Sequence, residues 1–373
     1  RETGDKMGIS TTINNLGSLT FTQGKFEKAK KFFEESMNIK KEIGDKMGIA
    51  GSLNNLGGVA FSTGDYDEAM KYYEYSLSIR KDIGDKHGIA ASLNNLGGLE
   101  LYRGNFKQAK KFFEESLDIK REIGDKKGIA SSLGNVGSVA KSQGDFELTK
   151  KIYEESLAIF REIGDKQGIA NFLNNLGDLV SSQKDYVQAL KFYEESLAIF
   201  REIGDKQGIA SSHSNLGKMA ISKGDFETAG KTLEESLTIF KEIGDKHGIA
   251  LSLFGLGNLA LYQKEYLNAK NFLKECLLIR KEIGDKAGIS ECIFIMGIIE
   301  FRTGDFEKAV KFLSASEKAF ETFEVVFEND DKELKNETIA GLHEKLSDEV
   351  FFKYREEGIK LSLEEACQLV VSS

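Results

Sequence analysis

Apolar positions recur with a helical period along most of the chain. In the first unit Ile9, Ile13, Leu16, Thr20 and Phe21 follow i, i+3/i+4, i+7 spacing. Phe26, Ala29, Phe33 and Ser36 do the same, and Met37 and Ile39 extend the stripe. Gly24-Lys25 separates the two runs, and Gly44-Asp45 ends the second. Glycine is common just past a helix and aspartate just before one, so both breaks have a mechanism. The pattern predicts helix A, a tight turn, helix B and a second tight turn. Acid-before-lysine pairs on helix B, at Glu27/Lys31, Asp67/Lys71, Glu147/Lys151, Glu227/Lys231 and Glu307/Lys311, are expected to bridge on its exposed face. Each contributes a few tenths of a kcal/mol at most.

This unit repeats without insertion or deletion. A Gly-Asp-Lys-x-Gly-Ile tract begins at Gly4, Gly44, Gly84, Gly124, Gly164, Gly204, Gly244 and Gly284, 40 residues apart each time. Every unit carries glycine at four places, as in Gly4, Gly8, Gly17 and Gly24, except that Lys184 and Lys264 replace the fourth. Together these places hold most of the 38 glycines. A fixed period of roughly 20–50 residues means an array in which each unit buries its apolar face only against its neighbours. Glycine within a helix costs roughly 1 kcal/mol relative to alanine. Gly17 and its equivalents are therefore expected where helix B comes too close to helix A for a side chain.

Composition narrows the class. Fifty-one Lys+Arg against 60 Asp+Glu give a net charge of −9, and 40% apolar with 30% charged residues is ordinary for a soluble protein. There is no tryptophan and no proline, against an average proline usage of roughly 5%. That disfavours turn-rich sandwiches and barrels. No apolar run approaches the roughly 18 residues of a membrane span, and no signal peptide opens the chain. The acidic balance argues against nucleic-acid binding. The three cysteines, Cys276, Cys292 and Cys367, are too few and scattered for a disulfide framework. They point to a reducing, cytoplasmic setting.

The motif inside each unit resembles the tetratricopeptide repeat. Leu16-Gly17, Gly24, Ala29 and Phe33 fall at that family's spacing. The match recurs as Leu56-Gly57, Gly64, Ala69 and Tyr73, as Leu96-Gly97, Gly104, Ala109 and Phe113, and on to Met296-Gly297, Gly304, Ala309 and Leu313. Departures are Thr149 for the alanine, leucine at 233, 273 and 313 for the aromatic, and Lys41-type residues where the family often has proline. The usual repeat is about 34 residues, and the longer unit is similar to the repeats of kinesin light chains and Pins-type spindle adaptors. The resemblance implies an all-α right-handed superhelix of eight helix-turn-helix units over residues 4–323.

Neither catalysis nor a cofactor is indicated. Gly224 … Gly230-Lys231-Thr232 mimics a phosphate loop, but the gap is one residue too long and it follows no strand. His87 and His247 share a slot four units apart, and His213 and His343 bring no metal-ligand spacing. Cys276 stands where helix B otherwise has a small serine (Ser36, Ser76, Ser116), so it is expected in the core. Cys292 and Cys367 have no partner assignable from the sequence. The Glu34-Glu35, Glu114-Glu115 and Glu154-Glu155 pairs recur with the unit, as a solvated face does.

Binding is indicated by asparagine. Asn15, Asn55, Asn95, Asn135, Asn175 and Asn215 occupy one position of helix A, and Asn14, Asn54, Asn94 and Asn174 precede four of them. Asparagine is a poor helix former, so the register needs a cause. Its donor and acceptor match the C=O and N–H of one peptide unit. A column of them is expected to clamp an extended peptide independently of its sequence. In families that resemble this one, the equivalent asparagine lines a concave groove and grips ligand backbone. The alternative is that each amide bonds the neighbouring unit's helix and staples the array. One turn on, the units show Ser18, Gly58, Gly98, Ser138, Asp178, Lys218, Asn258 and Ile298, of which Asp178 and Lys218 are candidate contacts. In the last two units Gly255 and Ile295 replace the asparagine beside Phe254 and Phe294, implying an apolar pocket or a terminal contact.

At the edges, Arg1-Glu2-Thr3 aligns with Lys41-Glu42-Ile43. The chain is expected to begin in the last turn of a preceding repeat, as part of a longer protein. After Phe323 the period stops. An acidic stretch, Glu324 to Asp331, predicts a bend. Helices are then predicted over 334–346, from Ser347 to Gly358, and from Leu363 to Val371 behind a Ser362/Glu365 capping box, together forming a cap over residues 324–373. The run Gly358-Ile359-Lys360-Leu361-Ser362-Leu363-Glu364-Glu365-Ala366 resembles the Gly-Arg-x-x-Ser-Leu-Glu-Glu-Ala tract that closes STAND-class signalling ATPases. Lys360 stands one place later than that arginine, and the usual tryptophan before the glycine is missing. The expectation is a non-catalytic, monomeric scaffold that binds a protein or peptide in its groove. It would be the sensor or interaction region of a larger signalling protein, with no nucleic acid or membrane among its partners. The alternative is a structural, self-assembling array.

Overall fold

The computed structural model describes residues 5–322 and 329–372, with side chains in the second stretch described from 332. Arg1 to Thr3, and residues 324–328 of the predicted acidic bend, lie outside the described residues, while its last three residues, 329–331, are helical. Among the described residues the regular elements are α-helices, and the chain divides into two compact units, 1–212 and 213–373.

The first unit holds five helical hairpins. They are α1 (Lys6–Thr22) with α2 (Phe26–Glu42), α3 (Lys46–Ser62) with α4 (Tyr66–Asp82), α5 (Lys86–Tyr102) with α6 (Phe106–Glu122), α7 (Lys126–Ser142) with α8 (Phe146–Glu162), and α9 (Lys166–Ser182) with α10 (Tyr186–Ile203). The division between units falls inside α11 (Lys206–Lys223). Aspartate starts each A helix: the Asp5 carboxylate accepts the Gly8 N–H at 2.9 Å, and Asp45, Asp85, Asp125 and Asp165 repeat the bond. Between A and B the chain turns through a left-handed residue, Gly24 at φ +70° and Gly64 at +79°. Between α9 and α10, where lysine replaces the glycine, Lys184 holds φ +65°, a region that costs a side-chain-bearing residue roughly 1–2 kcal/mol. Lys184→Gly is expected to raise stability by about 1 kcal/mol, read as a higher denaturation midpoint. An unchanged midpoint would place no strain at this turn.

The helix-A glycines lie where expected. A Cβ added at Gly17 would sit 2.6 Å from the Phe33 ring, and at Gly57 2.5 Å from that of Tyr73. Deeper in the seam, each helix-B serine bonds a helix-A carbonyl of its own hairpin. Ser36 donates to Ser10 O at 2.8 Å and Ser156 to Ala130 O at 2.7 Å. Ser76 and Ser116 also meet Ser92 and Ser132 of the following A helix, at 3.3 and 3.5 Å. One turn further along helix B, Lys40 and Lys120 are buried and donate to Ser52 and Ser132, at 3.0 and 2.9 Å. Burial pushes both ammonium groups below their usual range. Phe160 and Phe200 fill the same slot with carbon.

The surface charges pair differently from the sequence expectation. Of the five i,i+4 pairs only Glu307–Lys311 forms, at 2.6 Å. Instead the first residue of an A helix reaches the last of its B helix, as in Lys6–Glu42 at 2.9 Å and Lys126–Glu162 at 2.6 Å. Arg103 of the next hairpin takes Asp67, at 2.5 Å. Exposed pairs gain too little for helical proximity alone to decide the partner.

The second unit continues from α11 with α12 (Phe226–Ile243), α13 (Lys246–Tyr262), α14 (Tyr266–Ile283), α15 (Lys286–Thr303), α16 (Phe306–Thr322), α17 (Asn329–Lys345), α18 (Asp348–Lys360) and α19 (Leu363–Ser372). Leu342 of α17, Phe351 of α18 and Val370 of α19 join one buried cluster with Ile293, Ile295 and Ile298 of α15. Ile295, Ile298 and Phe294 are at most 3% exposed. Of the two expectations for this face, an apolar pocket or a terminal contact, the last unit shows the contact: the terminal helices cover it. Helix α17 starts five residues before the predicted Leu334, because the residues ahead of it are polar and leave no mark in the apolar pattern. Helix α18 runs through Gly358 instead of ending there. A Cβ at Gly358 would lie 2.5 Å from the Lys311 carbonyl, so this glycine marks a close approach to α16. The Ser362/Glu365 capping box forms, with Glu365 accepting the Ser362 N–H at 2.8 Å and its own N–H reaching Ser362 Oγ at 3.2 Å.

Candidate functional site

Helix A places the asparagines in register because it starts at the same place of every 40-residue unit, from Lys6 to Lys286. Neighbouring A helices lie close enough for their amides to meet. Asn55 Nδ2 donates to Asn14 Oδ1 at 3.3 Å, and Asn95 Nδ2 to Asn54 Oδ1 at 2.6 Å. Asn94 accepts from Ser132 Oγ at 3.5 Å, and Asn174 donates to Ser212 Oγ at 3.1 Å. These residues therefore serve as rungs between successive hairpins. In these rungs Asn14 Nδ2, Asn55 Oδ1, Asn54 Nδ2 and Asn95 Oδ1 make no hydrogen bond to a described residue.

The other asparagines stand apart from this ladder. Asn15 is exposed, and Asn135, Asn175 and Asn215 are half-buried; none of the four hydrogen-bonds a described residue. Asn15, Asn135 and Asn175 belong to the first unit and Asn215 to the second. Lys218 is exposed in the second unit. Asp178 accepts the Tyr193 hydroxyl at 2.7 Å, so it is engaged by its own hairpin. Burial, then the Asp178 charge, hold the Tyr193 phenol far above its usual range.

One feature of this face is not carried by the asparagines. Gly134 stands where Asn14, Asn54, Asn94 and Asn174 stand in their units, and Phe172 stands where Ser52, Ser92, Ser132 and Ser212 do. A Cβ at Gly134 would lie 2.3 Å from the Phe172 ring. That ring is 8% exposed and packs 5.3 Å from Phe160 and 5.8 Å from Tyr153, centroid to centroid. An aromatic-plus-glycine pair thus replaces the amide–serine pair at this seam. Aligning the units at 40 residues exposes both departures, and each makes sense only beside the other.

Among the described residues no group of three or more His, Cys, Asp or Glu is placed to hold a metal ion. No described helix is long and apolar enough to cross a membrane.

Two models of the tetratricopeptide repeat match the sequence, one over residues 48–122, 128–202 and 208–282, the other over 10–43. No curated protein sequence matches. Among solved structures the chain is similar to a Rap protein complexed with competence and sporulation factor, at 16% identity over 73% of this chain and 75% of that one, TM-score 0.59. It is similar to a signal transduction ATPase with numerous domains and a tetratricopeptide repeat sensor from Pyrococcus horikoshii, at 17% identity and TM-score 0.53. That match covers 88% of this chain and 50% of the ATPase. BtubC from P. vanneervenii is similar at 22% identity over 59% of this chain and 92% of that one, TM-score 0.50. At these identities the likeness shows the fold.

Proposed function

Because the chain belongs to the tetratricopeptide repeat family, we propose that the amide-bearing faces of its A helices bind an extended polypeptide. In this reading the chain is the sensor or interaction region of a larger signalling protein. The observation that carries it is the row of amide donors and acceptors in the first unit that bond no described residue: Asn14 Nδ2 with Asn55 Oδ1, Asn54 Nδ2 with Asn95 Oδ1, and the amides of Asn135 and Asn175. A peptide unit needs one donor and one acceptor, which this row offers repeatedly without asking for a particular side chain. Each such bond nets roughly 0.5–1.5 kcal/mol, so several act together to reach micromolar affinity. The Rap neighbour, solved with competence and sporulation factor, and the ATPase neighbour, named for its repeat sensor, support a ligand-reading role.

Asn135 and Asn175 separate binding from stapling, because neither bonds another described residue. Peptides enriched from a random display library on the wild-type chain are expected to bind Asn135→Ala/Asn175→Ala roughly tenfold or more weakly, with the thermal midpoint unchanged. Equal affinity for both proteins would remove these amides from the site. Mass that grows with concentration in light scattering, without peptide, would favour a self-assembling array.

A further inference from the structure

Paired hydroxyls recur at the seams of the array; Phe172 replaces one of the two at its seam, and at one seam thiols replace both. In the second unit Ser236 of α12 and Ser252 of α13 lie 2.9 Å apart. At the equivalent place between α14 and α15 stand Cys276 and Cys292, both 0% exposed, with their sulfurs 3.5 Å apart. Cys292 Sγ–H donates to Cys276 Sγ, and Cys276 in turn faces the Ala250 carbonyl at 3.2 Å. One turn along α14, Arg280 is 2% exposed, lies 4.8 Å over the Phe254 ring and pairs with Glu291 at 2.8 Å. Its Nε has no hydrogen-bond partner. The two thiols are thus neighbours in the fold, contributed by adjacent helices and set beside a buried cation.

We propose that Cys276 and Cys292 form an oxidisable pair, which a hydroperoxide converts into a disulfide joining α14 to α15. Cys276 is the attacking sulfur. The hydrogen bond from Cys292, opposed by burial and aided by Arg280, lowers its thiol below the ordinary range, whereas burial holds that of Cys292 well above it. The Cys276 thiolate attacks one peroxide oxygen, the O–O bond breaks, and Cys276 becomes a sulfenic acid as the departing oxygen leaves as water or alcohol. Cys292 sulfur then attacks the sulfenic sulfur. The S–S bond forms, the S–O bond breaks, and the hydroxide leaves as water with the Cys292 proton. Two thiols are oxidised by two electrons, and the peroxide is reduced by two. A soft cation held between the sulfurs is disfavoured by the Arg280 charge. Because neither sulfur is exposed, the reaction follows opening of the seam between these two helices, and the product then pins that seam shut.

The test treats the purified chain with hydrogen peroxide, alkylates remaining thiols after unfolding, and maps peptides by mass spectrometry. The expected result is a linked pair of peptides containing Cys276 and Cys292, two hydrogens lighter than their sum. The thermal midpoint should rise by roughly 5 °C or more and return with dithiothreitol. Cys276→Ser and Cys292→Ser each introduce the hydroxyl that the sibling seams use. Both should fold with the reduced wild-type midpoint and show neither the link nor the rise, while Cys367→Ser should show both. Recovery of Cys276 and Cys292 as alkylated thiols after peroxide would overturn the proposal. So would linkage through Cys367, or irreversible oxidation of Cys276 without linkage.

Discussion

Restoring the amide that other units carry, by Gly134→Asn, is expected to destabilise the first unit by roughly 1–3 kcal/mol, the usual range for overpacking. Asparagine is a better helix residue than glycine, so propensity alone predicts the opposite sign. Geometry decides: the added Cβ would fall 2.3 Å from the Phe172 ring, which is held against Phe160 and Tyr153. Phe172→Ser alone should cost more, roughly 3–5 kcal/mol, because it empties a buried aromatic site. The double variant rebuilds the pairing seen between Asn174 and Ser212. Its loss should therefore fall short of the sum of the single losses by more than about 1 kcal/mol. Additive losses in urea denaturation would show that the glycine and the phenylalanine are unrelated.

The second large effect is at Gly97. A Cβ there would lie 2.6 Å from the Phe113 ring, and leucine adds three carbons beyond it. The gain of roughly 1 kcal/mol in helix propensity is outweighed by forcing α5 from α6. A net loss of about 2 kcal/mol or more is expected, with faster amide exchange concentrated in that hairpin and its neighbours, since coupling in an array runs through nearest neighbours. The matched comparison is Gly297→Ala, where the nearest atom belongs to Leu313 at 3.0 Å and the added volume is smaller. Its loss should be well below that of Gly97→Leu. An unchanged denaturation midpoint for Gly97→Leu would contradict the packing role of this glycine.

Much of the architecture was legible because it rests on local rules repeated at a fixed interval. The Asp5-type caps, the left-handed Gly24-type turns and the Gly17–Phe33 contact each need a particular residue at a particular place, and the period displays them together. What was not legible depends on pairing across a seam. The thiols of Cys276 and Cys292 lie 16 residues apart in sequence yet meet through the packing of α14 on α15. The charge of Lys6 could not be assigned to Glu42 from helical spacing, since antiparallel closure of the hairpin sets that distance. The asparagine column was visible as a register, but not its division of labour. Asn14 pairs with Asn55 and Asn54 with Asn95 because adjacent A helices bring them within reach, while Asn175, whose counterpart in that pattern stands at position 134, has no amide partner among the described residues. Gly134 and Phe172 explain why: the rung at that seam is made of carbon.

The most direct test of the amide face uses one selected peptide and a copy carrying N-methyl groups on alternate backbone nitrogens. N-methylation removes the donors an asparagine carbonyl accepts and leaves every side chain in place. Isothermal titration on the wild-type chain should show affinity weakened roughly tenfold or more, consistent with loss of two or more hydrogen bonds. Equal affinity for the two peptides would contradict backbone recognition.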